Sequence, residues 1–106
     1  MATSFKNASA NITTSRTDVF TCSTTAAVVH ALFLSNVDGT NNVNATIELY
    51  DSSATAYFKV SYLVPVPAGS TLILDKPINL ENGDKLTITA DTNSRLSAVA
   101  SLMVVS

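Results

Sequence analysis

Apolar and polar residues alternate along most of this chain with a period of two. Between residues 43 and 50, Val43, Ala45, Ile47 and Leu49 point one way, while Asn44, Thr46, Glu48 and Tyr50 point the other. Leu86, Ile88 and Ala90 alternate with Lys85, Thr87 and Thr89. Leu96, Ala98, Ala100, Leu102 and Val104 carry the same rhythm to the C-terminus. Strict alternation predicts strands with one buried face. Residues 19–23, 56–66 and 71–74 are further strand candidates, rich in the Val, Ile, Thr, Tyr and Phe that suit a pleated surface. Within 56–66, Phe58, Val60, Tyr62 and Val64 share a face and read as core. No segment has the sustained Ala, Leu, Glu and Lys content of a helix.

The punctuation agrees. In Val66-Pro67-Ala68-Gly69, proline occupies the second and glycine the fourth position of a type I turn. In Glu81-Asn82-Gly83-Asp84, Asn-Gly lies at the centre of a predicted type I′ hairpin, which needs φ > 0 at both residues. Residues 36–42 form a polar loop, and residues 91–94 another break. The prediction is an all-β fold, an antiparallel two-sheet β-sandwich of about seven or eight strands. Immunoglobulin-like and jelly-roll topologies are both compatible with it. Residues 1–16, rich in Ser, Thr and Asn, read as an N-terminal arm or edge strand, and residues 17–106 as the sandwich domain.

One segment departs from strict alternation. Residues 26–36 read AAVVHALFLSN, with Leu32, Phe33 and Leu34 consecutive. A run apolar on both faces predicts cover on both sides, supplied either by the N-terminal arm or by a second copy of the chain. Val99, Met103 and Val105 occupy the outward positions of the last strand. With Phe5, Leu32, Phe33 and Leu34 they form the predicted interface. At about 25 cal/mol per Å2, covering roughly 800 Å2 of largely apolar patch per subunit offsets the cost of ordering two chains. The expectation is a homo-oligomer, a dimer or trimer.

Composition narrows the functional classes. Only 13% of the 106 residues are charged against 46% hydrophobic, and the net charge is 6 − 8 = −2. A soluble domain normally carries about 25% charged residues, so Ser, Thr and Asn must build much of this surface. Nucleic-acid binding is not expected, because the basic excess that releases counterions is missing. No apolar run approaches the ~18 residues of a membrane-spanning helix, and no membrane partner is expected. The N-terminus lacks a basic segment followed by an apolar run, which points to synthesis in a cytoplasm.

Candidate chemistry is sparse, and no enzyme is predicted. His30, the one histidine, lies inside the doubly apolar run and reads as a partly buried or interfacial imidazole rather than a base or metal ligand. Cys22, the one cysteine, has an uncharged, hydroxyl-rich neighbourhood that would not activate a thiol. Asp38, Asp51, Asp75, Glu81, Asp84 and Asp91 fall at strand ends or turns, where carboxylates bend backbone. Asn36, Asp38, Thr40 and Asn42 offer alternating oxygens but lack the bidentate Glu that closes an EF-hand loop. No catalytic residue, cofactor or metal site is assigned. Tyr50 and Tyr57 read as a packed cross-strand pair, with a sugar-stacking platform as the competing reading.

Three runs carry a family resemblance: VPVPAGSTL from Val64, DKPINLENGDKL from Asp75 and LSAVAS from Leu96. With the upstream LSNVDGTN from Leu34, they resemble small virion structural proteins of tailed bacteriophages, particularly phages of cyanobacteria and other marine bacteria. The likeness spans residues 17–105 and consists of strand and turn patterns rather than a catalytic signature. It implies a β-sandwich building block located in the virion and assembled in the host bacterial cytoplasm. Its implied role is a capsid decoration (cement) protein, with the major capsid protein or other virion proteins as partners. A neck, tail or baseplate component of the same virion, and a carbohydrate-binding module on a tail fibre, are the alternatives.

Overall fold

The computed structural model describes residues 2–106, which contain nine strands and no helix. They are β1 (Thr3–Ile12), β2 (Thr17–Thr21), β3 (Ala26–Asn36), β4 (Val43–Asp51), β5 (Ala56–Val66), β6 (Thr71–Leu74), β7 (Ile78–Glu81), β8 (Lys85–Ala90) and β9 (Leu96–Val105). One sheet runs β1-β9-β3, with β6 and β7 both on the far side of β3; the other runs β2-β8-β4-β5. All pairings are antiparallel.

β6 pairs with residues 32–35 of β3 and β7 with residues 26–29. They are one strand interrupted at Asp75, Lys76 and Pro77, where proline has no N–H to donate to a ladder. Counted so, the strands pair from the chain ends inward: β1 with β9, β2 with β8, β3 with β6–β7, and β4 with β5. This nested pairing across two sheets is a jelly roll rather than an immunoglobulin-like sandwich. The inward residues of both sheets fill the core, among them Ile12, Leu32, Leu34, Ile47, Leu86, Ile88, Leu96 and Leu102, each no more than 1% exposed.

A β-bulge explains the doubly apolar run. β3 pairs Val29 with Leu102 and then Ala31 with Ser101, so His30 is an inserted residue. The insertion shifts the inward set from Ala27 and Val29 to Leu32, Leu34 and Asn36, while Val28, Ala31 and Phe33 point out. Leu32 and Leu34 are therefore core residues, not interface residues. β1 lies beside β9 through a ten-residue register and does not cross the outer face of β3.

Both predicted turns differ in detail. Ser70 N–H donates to the Pro67 carbonyl at 3.0 Å, so the first turn begins one residue later than predicted and puts Gly69, at φ +69°, in its third position. Asp84 N–H donates to the Glu81 carbonyl at 3.0 Å, but only Gly83 of the central pair has positive φ, at +92°. That excludes type I′ and matches the φ of type II. Its flanking strands, β7 and β8, belong to different sheets, so it is a crossing between layers and not a hairpin.

β5 also departs from its pattern. Phe58, Val60 and Tyr62 are 52%, 45% and 64% exposed rather than core. β5 is an edge strand with irregular register against β4, and Leu63 adopts φ +48°, so parity is lost along it. The interrupted β6–β7 edge opposite leaves that side of the sandwich open.

Candidate functional site

The outer faces of the two sheets have opposite chemistry. On the β2-β8-β4-β5 sheet, Glu48 lies mid-strand with its side chain 5% exposed. Arg16 Nε and Nη2 donate to its Oε1 at 3.1 and 3.0 Å, and Lys59 Nζ donates to Oε2 at 3.2 Å. Burial pushes the Glu48 carboxyl up, but the two cations outweigh it and hold the group below its usual range. Lys85 and Asp18 form a further pair at 3.5 Å. This face is charged and self-satisfied.

The outer face of the other sheet is laid out in cross-strand rows. Phe5, Met103 and Val28 form one row. Asn7, Ser101 and Ala31 form the next, with His30 bulging beside them. Ser9, Val99, Phe33 and Ile73 form the third. Ser97, Ser35 and Thr71 close that end. Across β1, β9 and β3 this face carries no acidic or basic side chain besides His30 among the described residues; Glu81 lies at the β7 corner, and Asp75 and Lys76 lie at the sheet edge in the break between β6 and β7. Phe5 is 79% exposed, Ile73 54%, Val99 41% and Phe33 36%, while Met103 and Val105 are half-buried. A shallow depression of about 360 Å3 between β1 and β9 is lined by Ser9, Ala10, Asn11, Ser97, Ala98 and Val99.

Of the seven predicted interface residues, the structure brings Phe5, Phe33, Val99, Met103 and Val105 onto this one face. Leu32 and Leu34 lie beneath it. Val28 and Ile73, which also belong to the face, were not singled out in the sequence. The alternation around Ile73 carried that signal; for Val28 the bulge at His30 concealed it. His30 itself is exposed, its ring 6.4 Å from that of Phe5, rather than partly buried.

Other candidate chemistry resolves into structural roles. Cys22 is 1% exposed, and its Sγ lies 3.6 Å from the Thr24 carbonyl oxygen. In the 36–42 loop, Asp38 Oδ1 accepts from the Thr40 and Asn41 N–H groups at 2.9 and 3.2 Å. Those N–H groups, Thr40's foremost, hold the Asp38 carboxyl below its usual range. Asn36 Oδ1 accepts from Asp38 N–H and Asn42 Oδ1 from Ala68 N–H, so these side-chain oxygens serve backbone donors. Tyr50 and Tyr57 pack with ring centroids 4.9 Å apart, and the Arg16 guanidinium lies 3.7 Å above the Tyr57 ring, covering a face a sugar would need.

Two further features were not legible in the sequence. Asp51, Glu81 and Asp84 bring carboxylate oxygens within 4.8 Å of one another. Asp84 Oδ1 accepts from Ser52 N–H and Oγ–H, both at 2.9 Å, and Oδ2 accepts from Glu81 N–H at 2.9 Å. Burial raises the Asp84 carboxyl, but these bonds outweigh it and the group sits below its usual range. It pins the crossing between layers. The second feature is a groove of about 380 Å3 at the open side of the sandwich, lined by Val60 and the stretch 73–78, which includes Ile73, Asp75 and Lys76.

No protein-family model matches the chain, and no curated protein matches it. Among solved structures, it is similar to a chain from work described as "Bacillus endospore appendages form a novel family of disulfide-linked pili". The likeness covers 96% of this chain and 83% of that one, at a TM-score of 0.55 and 16% identity. At that identity the likeness is one of fold.

Proposed function

We propose that the protein is a structural subunit of a bacteriophage virion, serving as a capsid decoration protein. The observation that carries this reading is the division of charge between the two outer faces. One sheet keeps its ions paired in solvent, whereas the other presents Phe5, Phe33, Ile73 and Val99 on an almost chargeless surface. Contiguous exposed apolar surface of this kind marks protein contact. The phage-like turn and strand runs supply the context. In that role the apolar face docks on shell proteins and on other copies of the chain. Each contact is modest, and repetition around a closed shell gives the collective strength.

The fold likeness to a pilus-forming appendage chain supports a second reading, an appendage subunit. That neighbour is described as disulfide-linked, whereas the single cysteine here is buried in the core. Any assembly of this chain through its uncharged face is non-covalent. A neck or tail position in the virion remains the competing placement within the phage reading.

Imaging of intact particles tests the proposal. The expected result is density for this sandwich repeating with the capsid lattice. A small ring on the tail axis would replace the decoration role with a tail role, and absence from particles would remove the virion reading.

A further inference from the structure

We infer that the uncharged face is self-complementary and joins two copies of the chain face to face about a two-fold axis. The inference rests on the reading of that face as a contact surface and names its partner. An isologous contact brings each residue of one copy onto a symmetry-chosen residue of the other, and any charge near the axis then meets its own image. Across β1, β9 and β3 the face avoids that conflict: Glu81 lies at a corner, Asp75 and Lys76, of opposite sign, lie at the β6–β7 edge, and the polar positions between are Ser and Asn. Hydroxyl and amide groups both donate and accept hydrogen bonds, so such positions can pair with their own copies, which Lys or Asp cannot.

The row order fixes the arrangement. A two-fold axis in the plane of the face, running along the Asn7–Ser101–Ala31 row, reverses strand direction and exchanges the rows on either side. The Met103 and Val28 positions of one copy then fall on the Val99 and Phe33 positions of the other. On β9 and β3 apolar meets apolar on both sides of the axis, while at the edge Ile73 falls on the other copy's Asn79 position. Phe5 falls on the partner's Ser9, which lines the depression between β1 and β9. The most exposed large apolar side chain among the described residues thus meets a hollow of about 360 Å3, and the insertion occurs twice.

The area is sufficient. Four strands at a spacing of ~4.8 Å, each with ~10 residues rising ~3.3 Å, give a face of about 600 Å2. Two such faces bury about 1,200 Å2, the low end for specific interfaces. The expected dimer is reversible, with dissociation in the micromolar range.

Sedimentation equilibrium of the full chain over a concentration series tests the inference. The expected result is a reversible monomer–dimer equilibrium reaching twice the 11.1 kDa chain mass. Val99→Arg, and His30→Arg beside the axis, should each raise the dissociation constant at least tenfold, as should Phe5→Ser. These side chains point outward, so circular dichroism, and thermal midpoints read at concentrations where the parent is monomeric, should match the parent's. Tyr62→Arg, at an exposed site on β5, should leave the dimer intact.

A wild-type chain that stays monomeric at high concentration, or forms a trimer, would overturn the inference. So would loss of association in Tyr62→Arg with retention in Val99→Arg, which would move the contact to the open side of the sandwich. A solution monomer that still decorates shells would refute the two-fold contact and leave the shell role standing. A dimer absent from particles would do the reverse.

Discussion

Asn36 offers the sharpest test of how the loops are held. It is 3% exposed at the end of β3. Its Nδ2 donates to the Asn41 and Val66 carbonyls, both at 2.9 Å, and its Oδ1 accepts from Asp38 N–H at 2.9 Å. Asn36→Ala removes all three bonds. Each contributes about 1 kcal/mol net, and a buried carbonyl left without a partner, here that of Val66, costs about 1–3 kcal/mol more. Water entering the vacated space recovers part, so the expected loss is about 2–4 kcal/mol. At about 4–8 °C per kcal/mol for a domain of this size, the thermal midpoint should fall by roughly 8–30 °C. Urea unfolding followed by circular dichroism gives the free energy directly. Asn41→Ala is the control, because its side chain makes one exposed contact at 3.4 Å, and it should stay within about 0.5 kcal/mol of the parent. A loss below about 1 kcal/mol for Asn36→Ala would refute the assignment of the loop to this side chain.

Other expectations follow from the same geometry. Asp38, Glu48 and Asp84 all have carboxyls held below their usual range. Their contribution is therefore full above the unfolded carboxyl range, near pH 4, and is lost as pH falls through the folded values. Urea midpoints should be flat near neutrality and drop in acid, and Glu48→Gln should be less acid-sensitive than the parent. Leu32→Ala, which empties a fully buried site, should cost about 2–5 kcal/mol, whereas Phe33→Ala, one residue on and facing out, should cost about 1 kcal/mol or less in the monomer. Equal losses would contradict the bulge-shifted parity of β3. At Gly83, φ is +92° and an added Cβ would lie 3.0 Å from the Ser52 Cβ and Oγ. Gly83→Ala should cost about 1–3 kcal/mol through strain and displacement of Ser52 from Asp84; an unchanged urea midpoint would contradict this.

How far the sequence reached depended on where alternation survives. β4, β8 and β9 keep strict parity, and their buried faces were readable residue by residue. β7 escaped notice because four residues between Pro77 and the Asn82-Gly83 turn are too few to show a period. In β3 and β5 the bulges break parity, which turned Leu32 and Leu34 into apparent interface residues and Phe58, Val60 and Tyr62 into apparent core. Alternation also cannot tell an edge strand from a central one; that depends on long-range pairing. The outward set of β9 was legible because its parity never slips, and it led to the candidate face. The division of charge between two faces was not legible, since it emerges only when Arg16, Glu48 and Lys59, distant in sequence, meet on one sheet.

The most direct measurement is the position of this chain in intact particles, imaged at a resolution that distinguishes the two sheets. The expected result is sandwiches repeating with the shell, with Phe5, Phe33 and Val99 buried against protein and the Arg16–Glu48–Lys59 face open to solvent. Sandwiches docked through the charged sheet, with the uncharged face bare, would contradict it.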